Sequence, residues 1–319
     1  MTNFIAESYI GIDISKAQLD VFVSPKNQYY QFTNDAKGIK KLISQIRKSC
    51  PSPYIVLEAT GGYERNLVHQ LAAAECKGSC VNPRQIRDFA KAAGYLAKTD
   101  RIDAKVIALF AEKMPTRANM EVNEEQEEMA DLNTRRRQLV DMITMEKNHR
   151  EHARPSLKKS IDKIIKTLEK ELELIEKALA AIVAKDPEAS RKCDLMCTVK
   201  GIGKTTALAL LSTLPELGAL NSKEIAALSG VAPLNCDSGK LRGKRHIWGG
   251  RADVRCALFM PIMVAVQRNW QLKEFYDRLL TAGKSKKTAM IACMRKMLCI
   301  LNAMIKSNKP WRLTKSCSS

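Results

Sequence analysis

Apolar and polar residues alternate over short runs at the start of the chain, a pattern that is typical of β-strands. Residues 9–23 read YIGIDISKAQLDVFV, which is two apolar runs on either side of the turn-like segment ISKAQ, and residues 29–32 form a third run. Three short strands joined by turns predict an antiparallel meander. Further along, apolar runs predict strands at residues 54–59 and 78–81, and helical spacing predicts helices at residues 37–49, 64–74, 84–92 and 100–114.

The order of these elements determines the fold that we expect for the first part of the chain. Three antiparallel strands followed by alternating helices and strands are the order of a ribonuclease-H-like (RuvC-like) α/β domain. We assign residues 1–118 to such a domain. The predicted fold class is therefore α/β, followed by helical regions.

The hydrophobic spacing changes completely over residues 121–189. Apolar residues recur at steps of three and four, glycine is absent, and the only prolines are Pro155 and Pro187. This pattern predicts a helical hairpin or coiled coil, to which we assign residues 119–190. Its expected role is packing or oligomerisation.

Residues 191–319 are predicted to be mostly helical, beginning with two helices around a glycine turn. The segment GIGKTT lacks the glycine that a phosphate-binding P-loop requires five residues before Gly203, since position 198 is threonine. A helix-hairpin-helix fits better, because N–H groups at the start of its second helix hold a DNA phosphate without reading sequence. A purely structural helical corner is the alternative. The residues predicted to contact phosphate are Lys200, Gly201, Gly203 and Lys204.

The net charge of the chain is strongly positive and unevenly distributed. Its 53 Lys and Arg outnumber its 34 Asp and Glu, which gives +19, and residues 236–319 alone hold 18 Lys and Arg against 4 Asp and Glu. This balance predicts a polyanionic partner, of which nucleic acid is the commonest. No apolar run reaches the roughly 18 residues needed to span a membrane, and no secretory signal is visible.

The ten cysteines form neither a metal-binding nor a disulfide pattern. Cys76 and Cys80, like Cys193 and Cys197, are CxxxC pairs, but no histidine or second pair completes a zinc site. In a chain without a secretion signal they are most simply reduced thiols.

Four acidic residues of the first domain stand where a divalent cation would be useful. Asp13 lies in the first strand, Glu58 ends the fourth, and Asp100 and Asp103 share one face of a helix start. A carboxylate in an apolar strand costs free energy unless it is paired. In nucleases two cations about 3.5–4 Å apart clamp the attacking and leaving oxygens. Four ordinary surface acids are the alternative.

Residues 232–251, APLNCDSGKLRGKRHIWGGR, form a basic, glycine-rich segment with a single hydroxyl group. Four glycines and a proline predict a loop or short strands instead of a long helix. Ser238 has the hydroxyl needed to attack phosphorus, and cations beside it would hold phosphate. A solvated basic loop is the alternative. The predicted phosphate-binding cations are Lys240, Arg242, Lys244, Arg245 and Arg251.

These motifs resemble those of the DEDD transposases of the insertion-sequence 110 family. GIDISK, LEATGGYE and KTDRIDAK are similar to its RuvC-like motifs, VKGIGKTTA to its helix-hairpin-helix, and residues 232–251 to its C-terminal block. The resemblance covers essentially the whole chain and makes Asp13, Glu58, Asp100 and Asp103 the matching tetrad, with Ser238 as the matching serine. It implies a bacterial recombinase that moves its own element.

The resemblance also implies a cofactor, a mechanism and partners. The tetrad would hold Mg²⁺, or Mn²⁺ in its place, and would form a composite site with Ser238, whose attack on DNA gives a phosphoserine link and a free 3′-hydroxyl. Donor and target DNA are the implied substrates, and a structured guide RNA encoded by the element is the implied partner. We expect a cytoplasmic, nucleoid-associated protein. Because recombination handles four strand ends, we expect dimers that pair into a tetramer on DNA.

Three alternatives fit the same residues. A Piv-like DNA invertase shares these motifs and differs in how its DNA sites are arranged. A RuvC-type junction nuclease would use metal alone, with Ser238 structural and no covalent protein–DNA adduct. A nucleic-acid-binding protein without catalytic activity would also account for the positive net charge, and Asp13→Ala would then change no reaction.

Overall fold

The computed structural model describes residues 7–50, 52–116, 118–120, 122–239, 241–243 and 245–311. Contacts divide the chain into two units, Met1–Asn123 and Glu124–Ser319. The first unit is mixed α/β around a five-stranded sheet, and the second is mostly helical. The helical hairpin, which the sequence sets apart as residues 119–190, groups with the second unit in this division. The three-part division stays a prediction.

The sheet of the first unit has the strand order β3-β2-β1-β4-β5. β1 pairs antiparallel with β2, and β2 with β3, so the predicted meander is confirmed. β4 is parallel to β1, and β5 is parallel to β4. This mixed sheet is consistent with the ribonuclease-H-like expectation. The strands are β1 Ser8–Ile14, β2 Gln18–Ser24, β3 Gln28–Thr33, β4 Pro53–Glu58 and β5 Gly78–Val81.

Helices cover both faces of this sheet, because successive strand side chains point to opposite faces. On one face, Ile10 and Ile12 of β1 form an apolar core with Leu42 of α1 and Leu67 of α2. On the other face, α4 packs across β1 and β2. Every predicted helix of this unit is confirmed, with ends within two residues of expectation. The helices are α1 Ala36–Ser49, α2 Arg65–Ala73, α3 Pro83–Ala92 and α4 Asp100–Lys113.

A long helical hairpin opens the second unit. α5 spans Glu124–His152 and α6 spans Pro155–Lys185, so Pro155 stands at the first position of the second arm, where proline is tolerated. Ion pairs join the two arms, including Arg136 Nε to Glu176 Oε1 at 2.8 Å and Lys147 Nζ to Glu169 Oε1 at 3.0 Å. The predicted hairpin is confirmed.

The rest of the second unit is a helical assembly around one large core. α12 contributes Met294, Met297 and Leu301 to that core. α12 is long and apolar enough to cross a membrane by length and composition, but half of its apolar window is buried in the protein. The elements are α7 Pro187–Cys197, α8 Lys204–Thr213, α9 Ser222–Leu228, β6 Pro233–Leu234, β7 Asp237–Ser238, β8 Leu241–Arg242, β9 His246–Ile247, α10 Ala252–Arg268, α11 Trp270–Thr281 and α12 Lys286–Ser307.

Candidate active site

Two of the four predicted acids stand side by side because the central strands are in register. β1 and β4 run parallel, with Ile12 opposite Leu57. The next residue on each strand is an acid, Asp13 on β1 and Glu58 on β4. Both carboxylates therefore lie on the same face of the sheet, at the carboxyl ends of neighbouring strands.

The other two acids are carried by the first turn of α4. Thr99 caps this helix, and its Oγ1 accepts a hydrogen bond from the N–H of Ile102 at 3.3 Å. Asp100 and Asp103 both fall in the first turn. The positive end of the helix dipole favours negative charge there, so the helix start tolerates two acids.

Gly11 determines how closely α4 approaches β1. A Cβ built on Gly11 would lie 2.2 Å from the backbone N of Ala108 and 2.3 Å from the backbone O of Ala104. The helix backbone therefore packs directly on the strand, two residues before Asp13. No sequence pattern had assigned this role to Gly11. The available signal was a glycine inside a buried strand, which marks a close approach of another backbone.

The four carboxylates are close enough to repel one another. Burial, followed by the charges of Asp103 and Glu58, raises the pKa of Asp13 to about 6, although the N–H of Ile14 donates to its Oδ1 at 3.0 Å. Asp100 adds a smaller repulsion. Burial and then Asp103 raise the pKa of Glu58. Burial also raises the pKa of Asp103, and Asp100 adds to the rise. The structure thus brings the predicted tetrad into one neighbourhood.

Two cations act on this cluster without neutralising it. Arg87 on α3 and Lys98 before α4 lower the pKa of both Glu58 and Asp103, but burial outweighs them. A divalent cation fits this donor set, since it would relieve both the repulsion and the desolvation of the carboxylates. Among the residues that the structure describes, no group of three or more His, Cys, Asp or Glu side chains is gathered closely enough to hold a metal ion.

Ser238 lies in a small exposed hairpin of the second unit. β7 pairs antiparallel with β8, and β6 with β9, so the prediction of a loop with short strands is confirmed. Ser238 is opposite Leu241, which leaves a two-residue turn. Gly239 begins that turn at a φ of +54°, a left-handed conformation that glycine adopts readily. The Ser238 side chain is exposed and stands next to the turn.

The structure describes some, but not all, of the cations that are predicted to contact phosphate. Lys240 and Lys244 lie outside the described residues. Arg242 belongs to β8, and Arg245 follows it with an exposed side chain.

Arg251 is engaged within the protein. Its Nη1 and Nη2 donate to the two carboxylate oxygens of Glu216 at 2.6 and 2.7 Å, and Nη1 also donates to the carbonyl of Thr213 at 3.0 Å. Burial acts to raise the pKa of Glu216, but the hydrogen bonds and charge of Arg251 outweigh it and lower that pKa. This pairing favours a structural role for Arg251 over a phosphate contact.

The base of the hairpin is a close crossing of two backbone segments. A Cβ on Gly250 would lie 2.1 Å from the backbone N of Gly230, so both segments need glycine at this crossing. Arg255 Nη1 donates to the carbonyl of Gly249 at 2.8 Å and to that of Ser229 at 3.2 Å. The hairpin is therefore fixed at its base to the end of α9.

The turn between α7 and α8 holds the glycines predicted to contact phosphate. Gly201 has a φ of +105°, and a Cβ there would lie 2.7 Å from the Cβ of Ala265, so this glycine is required for packing against α10. Gly203 faces open space and is the N-cap of α8. Lys200 and Lys204 are exposed on either side. Two helices around a glycine turn are thus present, and phosphate binding by them stays a prediction.

Comparison with protein families gives two matches, one over most of the first unit and the hairpin's first arm, the other over part of the second unit. Residues 10–153 match a transposase family whose model is named for DEDD transposases of IS110. Residues 193–277 match the transposase family IS116/IS110/IS902. The four acids fall within the first match, and Ser238 falls within the second.

Individual relatives agree with these family matches. The chain is 29% identical to a pilin gene-inverting protein of Moraxella bovis over 316 residues, 96% of this chain and 98% of the relative. The corresponding protein of Moraxella lacunata gives the same identity and coverage. An uncharacterized 43.6 kDa protein of insertion element IS110 from Streptomyces coelicolor is 25% identical over 132 residues, 41% of this chain and 33% of that protein.

Proposed function

The chain belongs to the IS110 family of transposases, and from this premise we propose that it cuts and rejoins DNA for an insertion sequence through a covalent phosphoserine intermediate. The observation that carries the proposal is the cluster of Asp13, Glu58, Asp100 and Asp103 at one end of the central strands, where burial and then the charges of Asp103 and Glu58 raise the pKa of Asp13 to about 6. Such a cluster destabilises the fold when no cation is bound, and clusters of this kind are typical of functional sites.

The DEDD family implies a divalent cation, and we assign it to these four carboxylates. Mg²⁺ is the proposed ion, with Mn²⁺ as its substitute, because both prefer oxygen ligands. When bound, the ion stabilises the negative charge that develops on the phosphate oxygens. Asp13 and Glu58 contribute from the strands, and Asp100 and Asp103 from the helix start. We propose that this domain has the RuvC-like form of the ribonuclease H fold.

In the proposed reaction, Ser238 Oγ attacks a DNA phosphorus. The Oγ–P bond forms, the serine proton leaves, and the P–O3′ bond breaks to give a free 3′-hydroxyl. A 3′-hydroxyl of the exchanged strand then attacks the phosphoserine, a new P–O3′ bond forms, and Ser238 regains its proton. The number of phosphodiester bonds is conserved, so no nucleotide cofactor is required. The exposure of Ser238 is compatible with access to a duplex.

We assign DNA contacts to cations and backbone groups of the second unit. Arg245 and the segment cations Lys240, Arg242 and Lys244 would hold phosphates near the serine. The start of α8, with Lys200, Gly203 and Lys204, would hold a second stretch of backbone. Arg251 and Gly201 are set apart from this group, since the contacts described above give both a structural role.

One further partner is part of the proposal. A guide RNA encoded by the element is proposed on family membership, and pulldown of the expressed protein with sequencing of the bound RNA tests it. A discrete RNA from the element's own flank is the expected result, and recovery of only bulk cellular RNA would exclude it.

The serine mechanism is tested by trapping the protein on DNA. Ser238→Ala should remove both the covalent adduct and recombination, while DNA binding and stability stay near wild type, because one oxygen is deleted from an exposed turn. Ser229→Ala is the matched control: its Oγ is fully buried without a hydrogen-bond partner in the described structure. Removing that hydroxyl should leave stability unchanged or higher, with the adduct retained.

Two results would reject the serine mechanism. One is recombination by Ser238→Ala. The other is DNA cleavage by wild-type protein, in Mg²⁺, that never yields a protein–DNA adduct, which is the behaviour of a RuvC-type junction nuclease. If the acids also proved dispensable, a nucleic-acid-binding protein without catalysis would remain.

A site-specific DNA invertase is the second candidate, and one observation favours it. The relatives that match along 96% of the chain are named pilin gene-inverting proteins, whereas the insertion-element protein from Streptomyces matches over 41%. The chemistry at Ser238 would be the same, and only the arrangement of DNA sites would differ. Supplying the flanking sites on one plasmid in inverted orientation distinguishes them: an invertase flips the intervening segment, and a transposase moves the element to a new target.

A further inference from the structure

A fifth carboxylate lies beside the predicted tetrad. Asp20 on β2 is directly opposite Asp13 in the antiparallel pair, so the two side chains are on the same face of the sheet. Opposed residues of antiparallel strands have Cβ atoms about 4.5–5.5 Å apart. Asp20 is 2% exposed. No motif in the sequence distinguished it from its apolar neighbours.

Asp20 is held by three neutral side chains. Gln18 Nε2 donates to both carboxylate oxygens at 3.0 Å, and Gln31 Nε2 donates to Oδ1 at 3.0 Å. The hydroxyl of Tyr29 also donates to Oδ1. Within the part of the chain that the structure describes, every donor recorded to Asp20 is therefore uncharged. These bonds orient the carboxylate but bring no positive charge to it.

Tyr29 connects this carboxylate to the helix that carries two of the tetrad acids. Burial, and then its bond to Asp20, raises the pKa of Tyr29 to about 12, so the phenol remains a donor at neutral pH. The ring packs against the cluster that contains Ala104 of α4. The guanidinium of Arg101 lies 5.3 Å from the ring centroid. Asp20 therefore belongs to the surroundings of the tetrad and not to a separate core.

A buried carboxylate with only neutral donors is unfavourable unless a cation lies close by. We propose that Asp20 is an outer acid of the divalent-cation site: its oxygens are occupied by side-chain donors, so it does not ligate the ion, but its charge strengthens binding of the ion at Asp13. This inference rests on the proposed function, because it requires the tetrad to bind a cation. It assigns to the metal site a residue that lies outside the DEDD set.

Direct Mn²⁺ binding to the full-length protein, followed by electron paramagnetic resonance, tests the proposal. Asp20→Asn keeps the shape and removes the charge, and we expect it to weaken Mn²⁺ binding by roughly tenfold, the usual lower range for groups outside the ligand shell. Glu112→Gln is the matched control. It removes one charge near the far end of α4, where Glu112 accepts a hydrogen bond from Ser24 at 2.9 Å, and it should leave binding unchanged.

A second variant protects the test against a failure of Asp20→Asn to fold. Gln31 is exposed, and Gln31→Lys would pair with Asp20 in place and neutralise it. We expect this variant to unfold at a higher temperature than wild type yet to bind Mn²⁺ more weakly. Gln28→Lys adds the same charge to the same strand and should change neither. Wild-type Mn²⁺ affinity in both Asp20→Asn and Gln31→Lys would overturn the proposal.

Asp13→Asn separates this inference from the proposed function. If wild-type protein shows no saturable Mn²⁺ binding that Asp13→Asn removes, the metal assignment itself fails. If Asp13→Asn removes binding while Asp20→Asn and Gln31→Lys retain it in full, the tetrad stands and only the role of Asp20 is rejected.

Discussion

The carboxylate of Asp13 opposes folding at neutral pH. Its pKa is raised from 3.8 to about 6 in the folded chain, so the folded state binds this proton more tightly than the unfolded state does. The destabilisation is therefore absent below about pH 4 and complete above about pH 6, in the absence of a bound cation. The negative charge that cation binding needs at Asp13 therefore destabilises the metal-free protein.

Asp13→Asn should accordingly stabilise the metal-free protein while abolishing recombination. We expect the free energy of unfolding to rise by about 1 kcal/mol at pH 7.5, a modest value because the group is partly exposed and screened. The gain should disappear at pH 4. Thermal melts at the two pH values measure this gain. Added Mg²⁺ should raise the melting temperature of wild type but not that of Asp13→Asn. Asp277→Asn, an exposed acid on α11, is the control, and a variant less stable than wild type at pH 7.5 would contradict the reasoning.

At the scale of elements, the contact of β1 with α4 at Gly11 leaves no room for a side chain. Gly11→Ala should cost about 2 kcal/mol or more, because the new methyl group meets backbone atoms that cannot rotate away. Moving α4 outward would also carry Asp100 and Asp103 away from the strand ends, so cation binding should weaken together with stability. Chemical denaturation and Mn²⁺ titration measure the two effects.

Gly203→Ala is the corresponding control for Gly11→Ala. Gly203 faces open space and has a φ of −96°, so an added methyl group should cost less than about 1 kcal/mol, the difference between glycine and alanine at an N-cap. Equal losses in the two variants would show that the close packing at Gly11 does not matter.

The ion pair between Arg251 and Glu216, at the base of the hairpin that carries Ser238, should help to position that serine. Glu216→Gln should reduce adduct formation by between roughly tenfold and a hundredfold, since a small displacement of a nucleophile has effects of this size. Stability should fall by only about 1 kcal/mol, because the pair is about one-third exposed. Adduct yield on DNA and thermal melts measure these quantities.

Two companion variants complete this test. The exchanged pair Glu216→Arg with Arg251→Glu should recover part of the adduct. Glu173→Gln breaks an exposed pair with Lys177 on α6 and should have no effect. Full adduct yield from Glu216→Gln would indicate that Arg251 does not position the hairpin.

Local sequence patterns predicted most of these elements, because periodicity and turn residues act over a few positions. They placed the meander, α4 with its two acids, and the long helical hairpin. They could not reveal that Arg251 pairs with Glu216, 35 residues away, or that Gly11 lies against Ala108. Asp20 was missed for the same reason: its donors come from β3 as well as β2, and only the folded sheet brings them together.

At the scale of the whole molecule, the exposed apolar side chains of the helical hairpin bear on assembly. α6 exposes large apolar side chains, among them Leu157 at 56% and Leu174 at 57%, and the predicted dimer would cover them. Light scattering should give a dimer for wild type, a smaller species for Leu157→Glu with Leu174→Glu, and a dimer for the exposed polar control Ser160→Glu. A strict monomer for wild type, both free and with nucleic acid, would reject this assembly.

The packing of Gly11 also offers a rule for sorting distant sequences. The distance between strand and helix is set there by bare backbone, so it does not depend on how the surrounding core is filled. A genome survey should therefore weigh a glycine two places before the first acid, together with small residues one and five places after the last acid, as heavily as the four acids themselves. Chains that keep the acids but carry a bulky residue at the position of Gly11 are expected to be decayed copies.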